Sequence, residues 1–167
     1  MIPVKVKKVG ILTSGGDGPG MNAAIRSVVR CSLYHGLEVA GIMRGYQGLL
    51  EGDIVPMNHR SVSNIVNRGG TILKTARSRD FATDEGKARA VEVLRKRHID
   101  AVIVIGGDGS YIGANKLYEQ WGFPTIGLPG TIDNDVNGTD QTIGCSTAIN
   151  TALESIDKIR DTAQSME

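Results

Sequence analysis

The stretch Ala101-Val102-Ile103-Val104-Ile105-Gly106-Gly107-Asp108-Gly109-Ser110 decides the fold. Its first five residues are apolar without alternation, the pattern of a strand buried on both faces of a parallel sheet. Glycines and an aspartate end that strand, and Tyr111 to Trp121 then reads as a helix. Glycine at such a junction lets backbone N–H groups approach phosphate oxygens closely. A carboxylate directly after a fully apolar strand has no packing reason to sit there. A divalent ion bridging phosphate oxygens offsets its desolvation. The plainer alternative is a helix N-cap served by Asp108 or Ser110.

The same grammar recurs upstream. Val9 to Thr13 reads as a strand, Gly15-Gly16-Asp17-Gly18-Pro19-Gly20 as a loop, and Asn22 to Tyr34 as a helix. In that helix Ile25, Val28, Val29 and Leu33 recur at helical spacing, and Gly36 ends it. A helix N-terminus offers free N–H groups and the positive end of a dipole to an anion. A tight turn needing positive φ explains this loop equally well. It is neither a Walker A sequence, since no Gly-Lys-Ser/Thr follows, nor a dinucleotide fingerprint.

Downstream, Pro124 to Leu128 reads as a strand that ends at Pro129-Gly130, and Thr131-Ile132-Asp133-Asn134-Asp135 follows. Extended, that segment puts Thr131, Asp133 and Asp135 on one face. Neighbouring carboxylates repel, so one is pushed towards a higher pKa and suits a general base on a hydroxyl. Asp-Asn-Asp-Val-Asn-Gly is also strong composition for an Asx turn. Beside two phosphate loops the base reading prevails, and the combination points to phosphoryl transfer.

Between these signatures, Glu38 to Met43 reads as a strand, Gly45-Tyr46-Gln47-Gly48 as a turn and Ile54 to Met57 as a short strand. Ser61 to Val66 is predicted helical. Gly69 to Asp80 reads as irregular, with Lys74, Arg77 and Arg79 in it. Asp84 to His98 is predicted as a helix with Val91 and Leu94 inward. The last helix starts near Ser146 and carries a stripe of Ile149, Leu153, Ile156 and Ile159. Strand–loop–helix alternation implies an α/β fold: a parallel-rich sheet flanked by helices in Rossmann-like layers. Ligands of such folds gather at strand carboxyl ends, where all three signatures fall. No linker divides the chain, so residues 1–167 read as one nucleotide-binding domain that carries the base. The apolar stripe close to Met166-Glu167 is expected to be covered, by further chain or by a partner.

Composition narrows the function. The 22 glycines cluster at strand ends, which argues for loops shaped around a ligand rather than for disorder. A net charge of +1 gives no global field for nucleic acid or an anionic membrane, and the scarcity of aromatics weakens base stacking on a single strand. Cys31 and Cys145 lie in predicted helices, which fits a reducing compartment. Met1 to Lys8 has lysines but no apolar core of signal-peptide length, and no run approaches a membrane span; the expectation is a cytoplasmic protein. His35, His59 and His98 show no zinc spacing. Arg77, in a polar loop, can steady charge on a transferring phosphoryl group or can simply be solvated. Arg26 and Arg30 share a helix face that can grip a phosphorylated ligand or form its wet side.

Together these residues resemble the amino-terminal part of the 6-phosphofructokinase family in its bacterial, ATP-dependent form. The resemblance runs from Val9 to Thr162. It includes Leu12 to Asp17, Pro19 to Arg26, Asn67-Arg68-Gly69-Gly70-Thr71, Ile105 to Ser110 and Gly127 to Asp135. The Gly-Gly-Asp-Gly-Ser element alone is less specific, since NAD kinases and lipid kinases carry a similar loop. The resemblance implies an enzyme, a glycolytic kinase that moves the ATP γ-phosphoryl group to the 1-hydroxyl of fructose 6-phosphate and yields fructose 1,6-bisphosphate. By motif match Asp133 is the base, with Thr131 and Asp135 beside it, and Thr131, Ile132 and Asp133 meet the sugar phosphate. Asp108 holds Mg²⁺. Gly16, Arg77, Ser78, Gly107, Asp108, Gly109 and Ser110 hold ATP, and Arg77 bridges its phosphates in the transition state. Tyr46 lies near the phosphate-binding region. Arg26, Arg30 and Arg160 fall where the family binds allosteric effectors, ADP or phosphoenolpyruvate, between subunits of a homotetramer.

Pyrophosphate-dependent relatives are the close rival. They carry an acid where Gly109 stands and a lysine where Gly130 stands, which would fill the room for the nucleotide α-phosphate. A non-catalytic nucleotide- or effector-binding module is the rival from another class. The family's usual chain is about twice as long, and its second half supplies most sugar-phosphate contacts. These 167 residues are therefore expected to be a fragment with little or no activity alone.

Overall fold

The computed structural model describes residues 6–166; what the sequence suggests for residues 1–5 and for Glu167 lies outside the described residues. Among the described residues, five strands form one sheet: β1 (Lys8–Thr13), β2 (Glu38–Ile42), β3 (Ile54–Met57), β4 (Ala101–Gly106) and β5 (Thr125–Pro129). Five α-helices accompany them: α1 (Met21–Tyr34), α2 (Gly45–Glu51), α3 (Asp84–Lys96), α4 (Asp108–Trp121) and α5 (Cys145–Ser165). The strand order is β3-β2-β1-β4-β5. Neighbours are parallel except β3, which runs antiparallel to β2 at the edge. Pro56 sits in that edge strand, where a missing N–H costs no ladder bond on the open side.

The unbroken apolar runs do what a doubly covered sheet requires. On β1, Val9 and Ile11 join Ala101 and Ile105 of β4 in one core, which α1 covers with Met21, Ile25 and Val29. Leu12 joins Val102 and Val104 in a second core on the opposite face, roofed by Leu49, Val91, Leu94 and Leu117 of α2, α3 and α4. Each such fully buried aliphatic side chain contributes about 1.5–3 kcal/mol. Local signals set the helix ends. The Thr83 hydroxyl caps α3 by accepting from the Gly86 N–H at 3.0 Å. Acids in the first turn of α3 and bases in its last oppose the dipole. Gly122 closes α4 in the left-handed conformation.

Two predicted elements are corrected. Gly45 to Gly48 is the first turn of α2, not a reversal. Tyr46, Leu49 and Leu50 lie at helical spacing and are all buried, so packing overrides the glycines. Ser61 to Val66 is a string of turns, not a helix. The Asn58 side chain accepts from the N–H groups of Arg60 and Ser61, and Asn64 takes a left-handed φ of 54°, which no helix interior tolerates. Elsewhere predicted and observed ends coincide or differ by at most three residues, the largest difference being at α4, whose first residue is Asp108 itself.

The order of the strands positions the site. The chain leaves β1 towards β2 and β3, returns across the sheet to β4, and continues outward to β5. The connections therefore diverge between β1 and β4, and the crevice at that switch point is where an open α/β sheet receives a ligand.

Candidate active site

Register brings the three signatures together. Thr13 pairs with Ile105 and Gly106 with Pro129, so the ends of β1, β4 and β5 lie side by side. The Ser14 N–H reaches the Ile105 carbonyl at 2.9 Å, and the Gly130 N–H reaches the Gly106 carbonyl at 3.1 Å. A cavity of about 620 Å³ opens over these ends. Gly15, Gly16, Gly107, Asp108, Gly109, Ser110, Thr131, Asp133 and Asp135 line it. Gly15 has a φ of 89°, so this turn does require glycine.

α4 begins at the second loop, with Gly107 as N-cap and no side-chain cap. The N-cap alternative for Asp108 therefore falls away. Its carboxylate makes none of the described hydrogen bonds and stands on the cavity wall, at the end of a helix whose first amides lack intrahelical acceptors. The charge of Asp108 is felt next door. The Tyr111 hydroxyl, which donates to the Gly106 carbonyl at 2.8 Å, is pushed up to about 12, by burial first and by Asp108 second.

Thr131 to Asp135 is a bend rather than an extended run, yet it turns three oxygen-bearing side chains into one cavity. The Thr131 hydroxyl accepts from the Asp133 N–H at 3.3 Å and lies 3.4 Å from Asp133 Oδ2, to which it donates. Asn134, at φ 53°, makes the turn and accepts from the Thr142 N–H at 2.8 Å. Ile132 rides on the same bend but is absent from the lining; its methyl group lies against Gly18.

Arg77 and Ser78 reach the cavity from the irregular segment after β3. Two buried polar residues hold that segment. Asn22 donates to the Arg68 carbonyl and accepts from the Ile72 N–H. The Thr13 hydroxyl donates to the Lys74 carbonyl at 2.9 Å. Neither tether has a local sequence signal, since both join residues far apart in the chain.

The structure adds wall residues that the sequence reading missed: Phe81, Lys87, Ile112, Gly113 and Lys116. Tyr46, read only as near the phosphates, is buried and stacks on Phe81 with ring centres 3.8 Å apart and planes 9° from parallel. Its hydroxyl donates to the Ser110 carbonyl at 2.6 Å, and burial pushes its pKa far up. A signal for Lys87 existed: it opens the 87-90-91-94 stripe whose other members are Ala90, Val91 and Leu94.

The predicted effector arginines are not in this cavity. An Arg26 guanidinium N–H donates to the Val62 carbonyl, and Arg160 pairs with Asp157 on its own helix at 3.1 Å. Among the described residues no hydrogen bond or ion pair joins Arg26 or Arg30 to Arg160.

Magnesium fits the donor set. It is held by one or two carboxylates plus substrate phosphates rather than by a protein cage. Asp108 is a carboxylate without a partner among the described hydrogen bonds, on the cavity wall beside Gly107 and Gly109. No helix of the described residues is long and apolar enough to cross a membrane.

Fold and site define a doubly wound α/β protein with two glycine loops and several carboxylates lining one cavity at its switch point. The chain belongs to the phosphofructokinase family, whose profile matches residues 8–167. It is 61% identical over 97% of its length to an ATP-dependent 6-phosphofructokinase of Oceanobacillus iheyensis, of which it covers 50%. An ATP-dependent 6-phosphofructokinase 1 of Thermus thermophilus is 57% identical over 97% of the chain, which again covers 50% of it. The chain thus spans about half the length of the curated relatives it matches. Among solved structures, phosphofructokinase from Saccharomyces cerevisiae superposes with a TM-score of 0.89 at 39% identity, over 95% of this chain and 24% of that one.

Proposed function

We propose that this chain is the nucleotide-binding and proton-accepting portion of an ATP-dependent 6-phosphofructokinase. The observation that carries the reading is the convergence of Asp108, Arg77 and Asp133 on one cavity over three adjacent strand ends. The names of the relatives support the same donor and acceptor.

In this reading the amides at the start of α4 and the first glycine loop take the triphosphate, and the Tyr46–Phe81 face takes the base. Asp108 holds Mg²⁺, which neutralises charge on the phosphates. The Arg77 guanidinium, free of protein partners among the described hydrogen bonds and ion pairs, balances the charge that grows on the transferring group. Asp133 accepts the proton of the sugar 1-hydroxyl as that oxygen attacks the γ-phosphorus. The Thr131 hydroxyl orients the Asp133 carboxylate, and Asp135 adds negative field on the same side. Thr131 and Asp133 face the acceptor, with Ile132 shaping the bend. The remaining sugar-phosphate contacts come from a further domain, in keeping with the greater length of the relatives. The effector reading of Arg26, Arg30 and Arg160 takes ADP or phosphoenolpyruvate between the subunits of a homotetramer. A cytoplasmic, reducing setting accords with Cys31 and Cys145 as free thiols.

The test is a coupled assay of the complete protein with Mg-ATP and fructose 6-phosphate. Wild type produces fructose 1,6-bisphosphate. Asp133→Ser lowers kcat by about 10²–10⁴-fold, the range of general-base catalysis, while nucleotide affinity is kept. No transfer to fructose 6-phosphate, or full turnover by the Asp133→Ser variant, overturns the proposal.

A further inference from the structure

Lys87 is the one charged side chain that the fold buries among the described residues, 3% exposed, and it lies in the wall of the cavity. A lysine beside a phosphate cradle invites the reading of a direct phosphate anchor. Its partners argue otherwise. An ammonium has three N–H donors and no acceptor. Here they go to the Ala82 carbonyl at 2.8 Å, the Thr83 carbonyl at 3.1 Å and Asp84 Oδ1 at 3.1 Å. No donor remains for a ligand oxygen, and turning one towards a ligand would break a bond to Ala82, Thr83 or Asp84.

Those carbonyls close the 3₁₀ turn Asp80–Ala82, which carries Phe81. From there the contacts run on without a gap. Phe81 stacks on Tyr46, and Tyr46 donates to the Ser110 carbonyl in the phosphate loop. Gly113 of α4 lies at the edge of the stacked pair; a Cβ there would sit 2.9 Å from Phe81 Cε1 and 3.3 Å from the Tyr46 hydroxyl. Gly86 leaves room for the turn from the other side, since a Cβ there would meet the Asp80 carbonyl.

We propose that Lys87 is a positioning residue for the nucleobase end of the cavity: its ammonium ties down the Asp80–Ala82 turn so that Phe81 stays stacked on Tyr46 as one aromatic wall, and it binds no phosphate itself. The inference rests on the nucleotide reading above. It sets Lys87 apart from Arg77, whose guanidinium is free to meet a ligand.

Two ligands separate a wall from an anchor: Mg-ATP, which has a base, and Mg-tripolyphosphate, which has none. Calorimetric titration of the complete protein compares wild type, Lys87→Met, Lys87→Arg, Phe81→Ala and the double variant Lys87→Met/Phe81→Ala. Lys87→Met weakens Mg-ATP by roughly tenfold, the scale of one lost aromatic contact, and leaves tripolyphosphate within twofold. Lys87→Arg restores part of the loss. In the Phe81→Ala background Lys87→Met adds nothing. A matching loss for tripolyphosphate, unchanged ATP binding in Lys87→Met, or additive effects in the double variant overturns the proposal. Asp84→Ala, a change at an exposed partner, serves if Lys87→Met does not fold. It frees one N–H of Lys87, so a direct anchor would gain affinity for tripolyphosphate, whereas a positioning residue gains none. If wild type binds tripolyphosphate but gains nothing from the nucleoside of ATP, the nucleotide reading itself fails, and this inference with it.

Discussion

At the scale of single residues, Gly109 makes the clearest case. A Cβ built there meets nothing within 4 Å, so a side chain would project into the open cavity beside Asp108. Gly109→Asp is thus tolerated by the fold but adds a second carboxylate where the proposed function would bring the donor's phosphates. We expect ATP-dependent kcat/KM to drop by on the order of 10²-fold or more, as like charges in a desolvated site repel strongly, with no change in thermal midpoint. Unchanged ATP kinetics in that variant would remove the reason for preferring ATP over pyrophosphate. Gly130, by contrast, is packed: a Cβ there lies 2.5 Å from Ile105 Cγ2, so a lysine at this position needs the strand end to move. Residues such as Gly107, Asp108 and Asp133 were legible because their signal is local, an apolar strand followed at once by glycine or acid. Arg77 and Phe81 had no such signal. The place of Arg77 depends on Asn22 and Thr13 gripping the segment before it across 50 and 61 residues of chain, and that of Phe81 on Tyr46 and the turn that Lys87 holds.

Among the elements, the strands were read well and the short pieces poorly, for one reason. A strand buried on both faces writes its environment into every residue, whereas α2 shows only Tyr46, Leu49 and Leu50 between glycines. Gly48 of α2 reads as a turn former but is there for contact, since a Cβ would collide with the Met43 carbonyl. Alanine is the better helix former by about 1 kcal/mol. The collision with backbone outweighs that gain. Gly48→Ala should lower stability by about 1–3 kcal/mol, read as a lower urea midpoint, and should loosen the Tyr46 contact with Ser110. A gain in midpoint would show that helix propensity wins after all. The Ser61–Val66 misreading is the mirror case: a segment predicted helical is broken into turns at the left-handed Asn64.

Taken as a whole, the molecule is closed at its bottom edge by Asp100, just before β4. Its carboxylate accepts from the Lys7 N–H at 2.7 Å and the Lys8 N–H at 2.9 Å, joining chain segments more than ninety residues apart. Those two backbone hydrogen bonds, first Lys7 and then Lys8, hold its pKa below the ordinary carboxylate range. A depressed folded-state value contributes stability that is fully present above the unfolded value, about 3.9, and is lost as pH falls through the folded one. Asp100→Asn should therefore cost on the order of 1 kcal/mol at pH 7, and the gap to wild type should close in acid, below about pH 4. Thermal melts of both proteins from pH 7 to pH 3 check this; a gap that widens in acid would contradict it.

The long helix α5 remains. Beyond its buried first residue, Cys145, it stands clear, with Ile149, Leu153, Ile156 and Ile159 each more than half exposed. It is fastened at its base: the Ile143 N–H donates to the Pro129 carbonyl, Thr142 is held by Asn134, and Gly144 abuts Gly20 at the head of α1. At 1.5 Å per residue the arm is roughly 30 Å long, so a swing of about 10° moves its tip by roughly 5 Å. The fulcrum is the Thr142–Gly144 anchor, which Asn134 ties to the bend that carries Asp133. A displacement of that tip would be felt first at the Thr142–Asn134 bond, one residue from Asp133.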